Sequence, residues 1–168
     1  QNSEIYLLKK NRKLQRLTRH YNIDTSPTWS PDGKKIAFTS DRSGTGAPQI
    51  YIMDAEKGDS SRVSRISFGS SYNDNPSWSP NGDKIAYTSL VGKKFQISVY
   101  DLETHKSQIE ATGTGSAEKP SWSPDGRFIV YRKQVNGSSN IFIKRLGSNR
   151  VRQLTFSGKP HSPSWSPY

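Results

Sequence analysis

The stretch NDNPSWSPNGDKIAYTS, residues 73–89, decides the fold. It reads as a Pro-x-Trp-Ser-Pro entry, an Asn-Gly turn and a run of apolar residues with no polar face. The same reading returns at PTWSPDGKKIAFTS (27–40), at PSWSPDGRFIVY (120–131) and at the terminal PSWSPY (163–168). Trp29, Trp78, Trp122 and Trp165 are therefore spaced by 49, 44 and 43 residues. A period in the forties is that of propeller blades of four antiparallel strands.

Each piece has a physical reason for its place. Proline presets the entry to a turn, and Asp32-Gly33, Asn81-Gly82 and Asp125-Gly126 are hairpin dipeptides in which Asn or Asp tolerates positive φ and Gly adopts it freely. Ile36-Ala37-Phe38, Ile85-Ala86-Tyr87 and Phe128-Ile129-Val130-Tyr131 are apolar on both strand faces, as suits strands packed between two neighbouring sheets. A tryptophan at one fixed place per repeat reads as packing between blades in preference to an exposed binding anchor. Asp32, Asn81 and Asp125 read as turn residues, because the acidic ladder of a calcium loop is missing.

Working outward, further β-rich runs complete each unit: Gln49–Asp54 and Arg62–Ser67 in the first, Phe95–Asp101 and Ser107–Ala111 in the second, Asn140–Arg145 and Val151–Thr155 in the third. Ahead of the first unit, Ile5–Lys9 and Leu14–Thr18 match the third and fourth strands of a blade. After the third, only a first strand is expected, over Pro163–Pro167, for 15 strands in all. The expected organisation is all-β: a partial propeller with the outer strands of one blade at 1–19, complete blades at 20–68, 69–112 and 113–157, and an inner strand at 158–168. Such an arc is expected to be an excised piece of a larger ring, marginal or self-associating because its terminal faces lack neighbours.

Composition agrees. The 168 residues include six Phe, eight Tyr, four Trp, 13 Gly and 10 Pro, a mixture suited to short strands and tight turns. The absence of cysteine excludes disulfides, thiolate metal sites and a thiol nucleophile. No apolar run reaches membrane-spanning length, so membrane insertion is not expected. The net charge of +11 arises from 25 basic and 14 acidic residues. The basic residues occur mostly as scattered pairs, with one denser stretch from Lys9 to Arg19, and read as a solvated basic surface. Nucleic acid is accordingly disfavoured as a partner.

FTSDRSGTGAPQIYIMD (38–54), NDNPSWSPNGDKIAYTS (73–89), KPSWSPDGRFIVY (119–131) and the ending VRQLTFSGKPHSPSWSPY together resemble the repeats of the TolB family of the Tol-Pal system. The resemblance covers essentially the whole chain. It implies a six-bladed ring, of which this sequence would hold about three and a half to four blades. It also implies a periplasmic, non-catalytic protein-binding scaffold that binds the peptidoglycan-associated lipoprotein Pal, supports outer-membrane integrity and cell division, and is exploited by colicin peptides; other Tol proteins are further possible partners.

By similarity, the contact uses loops leading into the first strand of each blade: Thr25 and Ser26, Asp74 and Asn75, Glu118 and Lys119, His161 and Ser162. Their variation in charge and size on a repeated scaffold is where specific recognition is expected.

Enzymatic readings are weaker. A propeller lid of a prolyl-oligopeptidase-like serine peptidase is the main alternative, but the Gly-x-Ser-x-Gly elbow of its catalytic domain is absent here. His20, His105 and His161 fall in different repeats and not at metal-ligand spacing. Gly113-Thr114-Gly115 lacks the strand-to-helix context of a phosphate loop. No catalytic residue, cofactor, metal or small-molecule substrate is therefore expected. A basic polyanion-binding module is the other alternative, and it rests on charge alone.

Overall fold

Each repeat folds into one antiparallel sheet in chain order, because short apolar runs separated by turn residues pair most readily with their sequence neighbours. The computed structural model describes residues 2–111, 113–158 and 160–166. Strands β1 (Tyr6–Leu8) and β2 (Leu14–Arg16) form a two-stranded sheet. Three four-stranded sheets follow. The first comprises β3 (Asp24–Trp29), β4 (Lys35–Ser40), β5 (Gln49–Asp54) and β6 (Ser64–Arg65). The second comprises β7 (Asn73–Trp78), β8 (Lys84–Val91), β9 (Lys94–Asp101) and β10 (Lys106–Ala111). The third comprises β11 (Ser116–Trp122), β12 (Phe128–Val135), β13 (Ser138–Arg145) and β14 (Val151–Gln153). This is the partial propeller of four-stranded blades that the repeats imply.

The core lies between sheets. Ile50, Ile52 and Ile66 of the first four-stranded sheet pack against Trp78, Ile85 and Tyr87 of the second. On the opposite face of the second sheet, Ala86, Ile97 and Val99 meet Trp122, Ile129 and Tyr131 of the third. Ile5 and Leu17 cover Ile36, Phe38 and Tyr51 in the same way. Successive residues of β8 thus point into different interfaces, which is why that run carries no polar face.

Two of the tryptophans mark these seams. Trp78 and Trp122 are buried, and Trp122 Nε1 donates to the Ser77 carbonyl of the preceding sheet at 2.9 Å. Trp165 Nε1 repeats this contact one sheet on, to the Ser121 carbonyl at 3.2 Å.

Two local expectations are corrected. In the Trp-Ser-Pro turns only Gly33, Gly82 and Gly126 have positive φ (71°, 74° and 69°), whereas Asp32, Asn81 and Asp125 do not. Each glycine N–H donates to the carbonyl of the motif serine, so proline and the following residue are the two central residues of a turn with ordinary negative φ. Residues 163–166 are not a strand. A strand exists through its ladder, and no described strand pairs with this segment. Fourteen strands are therefore present among the described residues, where fifteen are expected from the repeats; residues 167 and 168 lie outside the described part.

Candidate functional site

The innermost strands β3, β7 and β11 share an irregularity that the sequence does not announce. Thr25 pairs with Thr39 and Thr28 with Ala37, so Ser26 and Pro27 together oppose the single residue Phe38. Asn75 and Pro76 likewise oppose Tyr87, and Lys119 and Pro120 oppose Tyr131. Each is a β-bulge. Proline has no N–H for the ladder and disfavours the right-handed helical region for the residue before it. That residue takes positive φ each time: 50° at Ser26, 53° at Asn75 and 56° at Lys119.

The candidate rim residues are placed differently from the expectation. Thr25, Ser26, Asp74, Asn75, Glu118 and Lys119 lie inside the inner strands at the bulges, not in loops ahead of them. The strands begin earlier than the apolar pattern suggests, because backbone pairing with β4, β8 and β12 continues past the proline into polar residues. His161 and Ser162 lie in the exposed irregular segment ahead of Trp165.

Ser26, Asn75, Lys119 and Ser162 converge. With the prolines that follow them they line one concave groove of about 420 Å³. The other member of each pair lies beside the groove or away from it. Asp74 links the first and second four-stranded sheets: its Oδ1 accepts from Ser26 Oγ at 3.2 Å, from Thr39 Oγ1 at 2.8 Å and from the Asn75 N–H at 2.6 Å. Burial, and next the neighbouring Asp74 carboxylate, push the Tyr72 hydroxyl above its ordinary pKa. Glu118 pairs with Arg132 at 3.3 Å, and the Lys119 N–H donates to Thr88 Oγ1 at 3.0 Å, leaving the lysine side chain to the groove. His161 lines a separate cleft with Arg132 and Asn140.

Thr39, Thr88 and Arg132 are the candidate-site residues that sequence reasoning missed. They occupy one position, immediately after Phe38, Tyr87 and Tyr131: Thr39 and Thr88 reach across the seam to Asp74 and to the Lys119 N–H, and Arg132 holds Glu118 of its own sheet. Their equivalence in KIAFT, KIAYT and FIVYR was the available signal.

A second section of concave wall continues past Thr28, Ser77 and Ser121 to the tryptophans and the turn prolines. The surface as a whole is open and mixed, with serines beside prolines and tryptophans. Among the described residues no group of three or more His, Asp or Glu side chains is arranged to hold a metal ion. His20 stacks on Tyr21, and His105 contacts Tyr100.

Comparison with known proteins matches residues 1–168 to the family described as the TolB beta propeller domain. The Tol-Pal system protein TolB of Bordetella pertussis is 46% identical over 59 residues, 34% of this chain and 13% of that protein. The uncharacterized peptidase YuxL of Bacillus subtilis is 49% identical over 47 residues, 28% of this chain and 7% of that protein. The crystal structure of TolB from Acinetobacter baumannii superposes with a TM-score of 0.82 at 31% identity, covering 96% of this chain and 40% of that one. The chain thus spans less than half the length of these relatives.

Proposed function

Because the chain belongs to the TolB β-propeller domain family, we propose that it is a non-catalytic, periplasmic scaffold of the Tol-Pal cell-envelope system that binds Pal through its bulged inner strands. In this role it supports outer-membrane integrity and cell division, and colicin peptides compete for the same groove. One observation carries the reading: four repeats deliver the residue before the motif proline, Ser26, Asn75, Lys119 and Ser162, to one concave surface. The same bulge recurs at Ser26, Asn75 and Lys119 while the side chains differ in size and charge, which is the division of labour of a recognition surface on a repeat scaffold. The groove is open, with prolines and polar side chains side by side, suited to a protein partner more than to an enclosed small molecule.

Binding of purified Pal to the immobilised chain tests this. Lys119→Glu and Ser162→Arg place charge and bulk in the groove and are expected to weaken binding about tenfold or more. Lys35→Glu, at the opposite end of the inner hairpin, should leave it within about twofold. No binding by the unaltered chain, or equal loss in all three variants, rejects the assignment.

A further inference from the structure

The seam between the first and second four-stranded sheets holds a groove of about 750 Å³, away from the bulged inner strands. Ile52, Ile66 and Leu102 give it an aliphatic lining, and Tyr100, whose hydroxyl lies 2.9 Å from His105 Nδ1, forms part of its wall. Lys34, Lys35, Arg62 and Arg65 also line it, against one carboxylate, Asp54. That carboxylate is committed to its own turn: it accepts the Lys57 N–H at 2.8 Å and the Glu56 N–H at 3.0 Å, and these bonds hold its pKa below the ordinary value. None of the four cations forms an ion pair among the described residues. Arg65 is held in place by its bond to the Ser67 carbonyl at 2.7 Å and by the Phe68 ring, 5.0 Å from its guanidinium carbon.

The next seam shows what a self-satisfied version looks like. Tyr100 pairs with Ile85 in its sheet as Lys144 pairs with Ile129 in the following one, so Tyr100 and Lys144 are equivalent positions. Lys144 is buried and joined to Glu110 of the preceding sheet at 2.8 Å. In the first seam a neutral tyrosine takes the lysine's place, the facing strand β6 brings Arg65, and positive charge is left without an internal partner.

We propose that this groove docks an acidic peptide segment carrying an aliphatic anchor residue. Carboxylates complement the four cations, and the half-buried Leu102, with the buried Ile52 and Ile66 behind it, takes the anchor. Bases of nucleic acid find less to hold them, since the apolar part of the lining is aliphatic (Ile52, Met53, Ile66 and Leu102) more than aromatic (Tyr100 and His105). The site is independent of the Pal-binding groove.

Fluorescence anisotropy with a labelled peptide of alternating Glu and Leu tests the proposal. Its Gln-Leu counterpart and a thymidine oligonucleotide of the same length serve as comparisons. The paired reversal Lys35→Glu/Arg62→Glu is expected to weaken Glu-Leu binding about tenfold or more. Lys93→Glu/Lys94→Glu, the same charge change at the opposite end of the second sheet, should weaken it less than about twofold. All four positions are exposed, and the neutral pair Lys35→Gln/Arg62→Gln, with circular dichroism, separates a binding loss from unfolding. Absence of Glu-Leu binding, equal losses in the two charge-reversed pairs, or equally tight oligonucleotide binding each overturns the proposal.

Discussion

Trp29, Trp78 and Trp122 occupy one position of successive repeats, yet they are 49%, 8% and 6% exposed. The difference is one of neighbours: Trp78 and Trp122 pack on a complete preceding sheet, whereas Trp29 follows the two-stranded β1–β2 sheet, which presents no inner strand to cover it. Trp122→Ala is expected to cost about 3–5 kcal/mol, and Trp29→Ala less than about 1 kcal/mol, as read from urea unfolding midpoints. Glycines divide on similar grounds. Gly58 has φ 54° and lies so close to the Leu17 backbone that a Cβ cannot be accommodated, while Gly33, at φ 71°, faces open space. Gly58→Ala should therefore destabilise by about 2 kcal/mol or more, and Gly33→Ala by about 1 kcal/mol, in the same unfolding measurement.

Among the elements, the Trp-Ser-Pro hairpins show how side chains maintain a turn. Ser30 Oγ donates to Asp32 at 2.6 Å and accepts the Lys35 N–H at 2.9 Å, and Ser123 does the same with Asp125 and Phe128. In the middle repeat Asn81 offers no carboxylate, and Ser79 donates instead to Asp83 at 2.8 Å. The Ser123 hydroxyl, then the Arg127 N–H and guanidinium, lower Asp125 to about 2; the Ser30 hydroxyl and Lys34 N–H lower Asp32. A depressed folded-state pKa stabilises the fold above the ordinary carboxylate value of 3.8, and that contribution is lost as pH falls toward about 2. Urea midpoints should be flat near neutrality and fall across this acid window, with a smaller fall in Ser123→Ala. The sheets are also joined by the buried Lys144–Glu110 pair. Lys144→Met alone should cost about 3–5 kcal/mol by leaving Glu110 unpaired, whereas adding Glu110→Leu should recover most of it, as a double-mutant cycle would read.

For the whole molecule, stability is expected to grade along the arc. The second four-stranded sheet is covered on both faces, while β1–β2 is a two-stranded sheet and residues 163–166 have no ladder. Native-state hydrogen exchange should be slowest in β8 and β9 and fastest in β1, β2 and 163–166. Uniform protection from end to end would contradict this grading. Tyr131, deep in the second seam, has its pKa pushed up to about 12 by burial. A raised folded-state pKa stabilises fully below the ordinary tyrosine value of 10.0, and that stability is lost as pH rises toward about 12. The Tyr131 share of the phenolate absorbance, taken as the difference between the unaltered chain and Tyr131→Phe, should therefore appear together with unfolding in that alkaline window.

The period of the tryptophans and the doubly apolar runs determined the blade architecture, since a strand with no polar face must be covered on both sides. Strand limits such as Lys35–Ser40 and Gln49–Asp54 were legible to the residue. The bulges were not: Thr25, Asp74 and Glu118 are polar and lie two residues before a proline, so nothing local marks them as paired strand. Only the tertiary structure decided that Ser26, Asn75, Lys119 and Ser162 share a groove, because residues more than forty positions apart meet only when neighbouring inner strands are packed side by side. It likewise decided that Trp29 stays exposed while Trp78 and Trp122 are buried, since burial depends on what the next sheet presents and not on the residue or its motif.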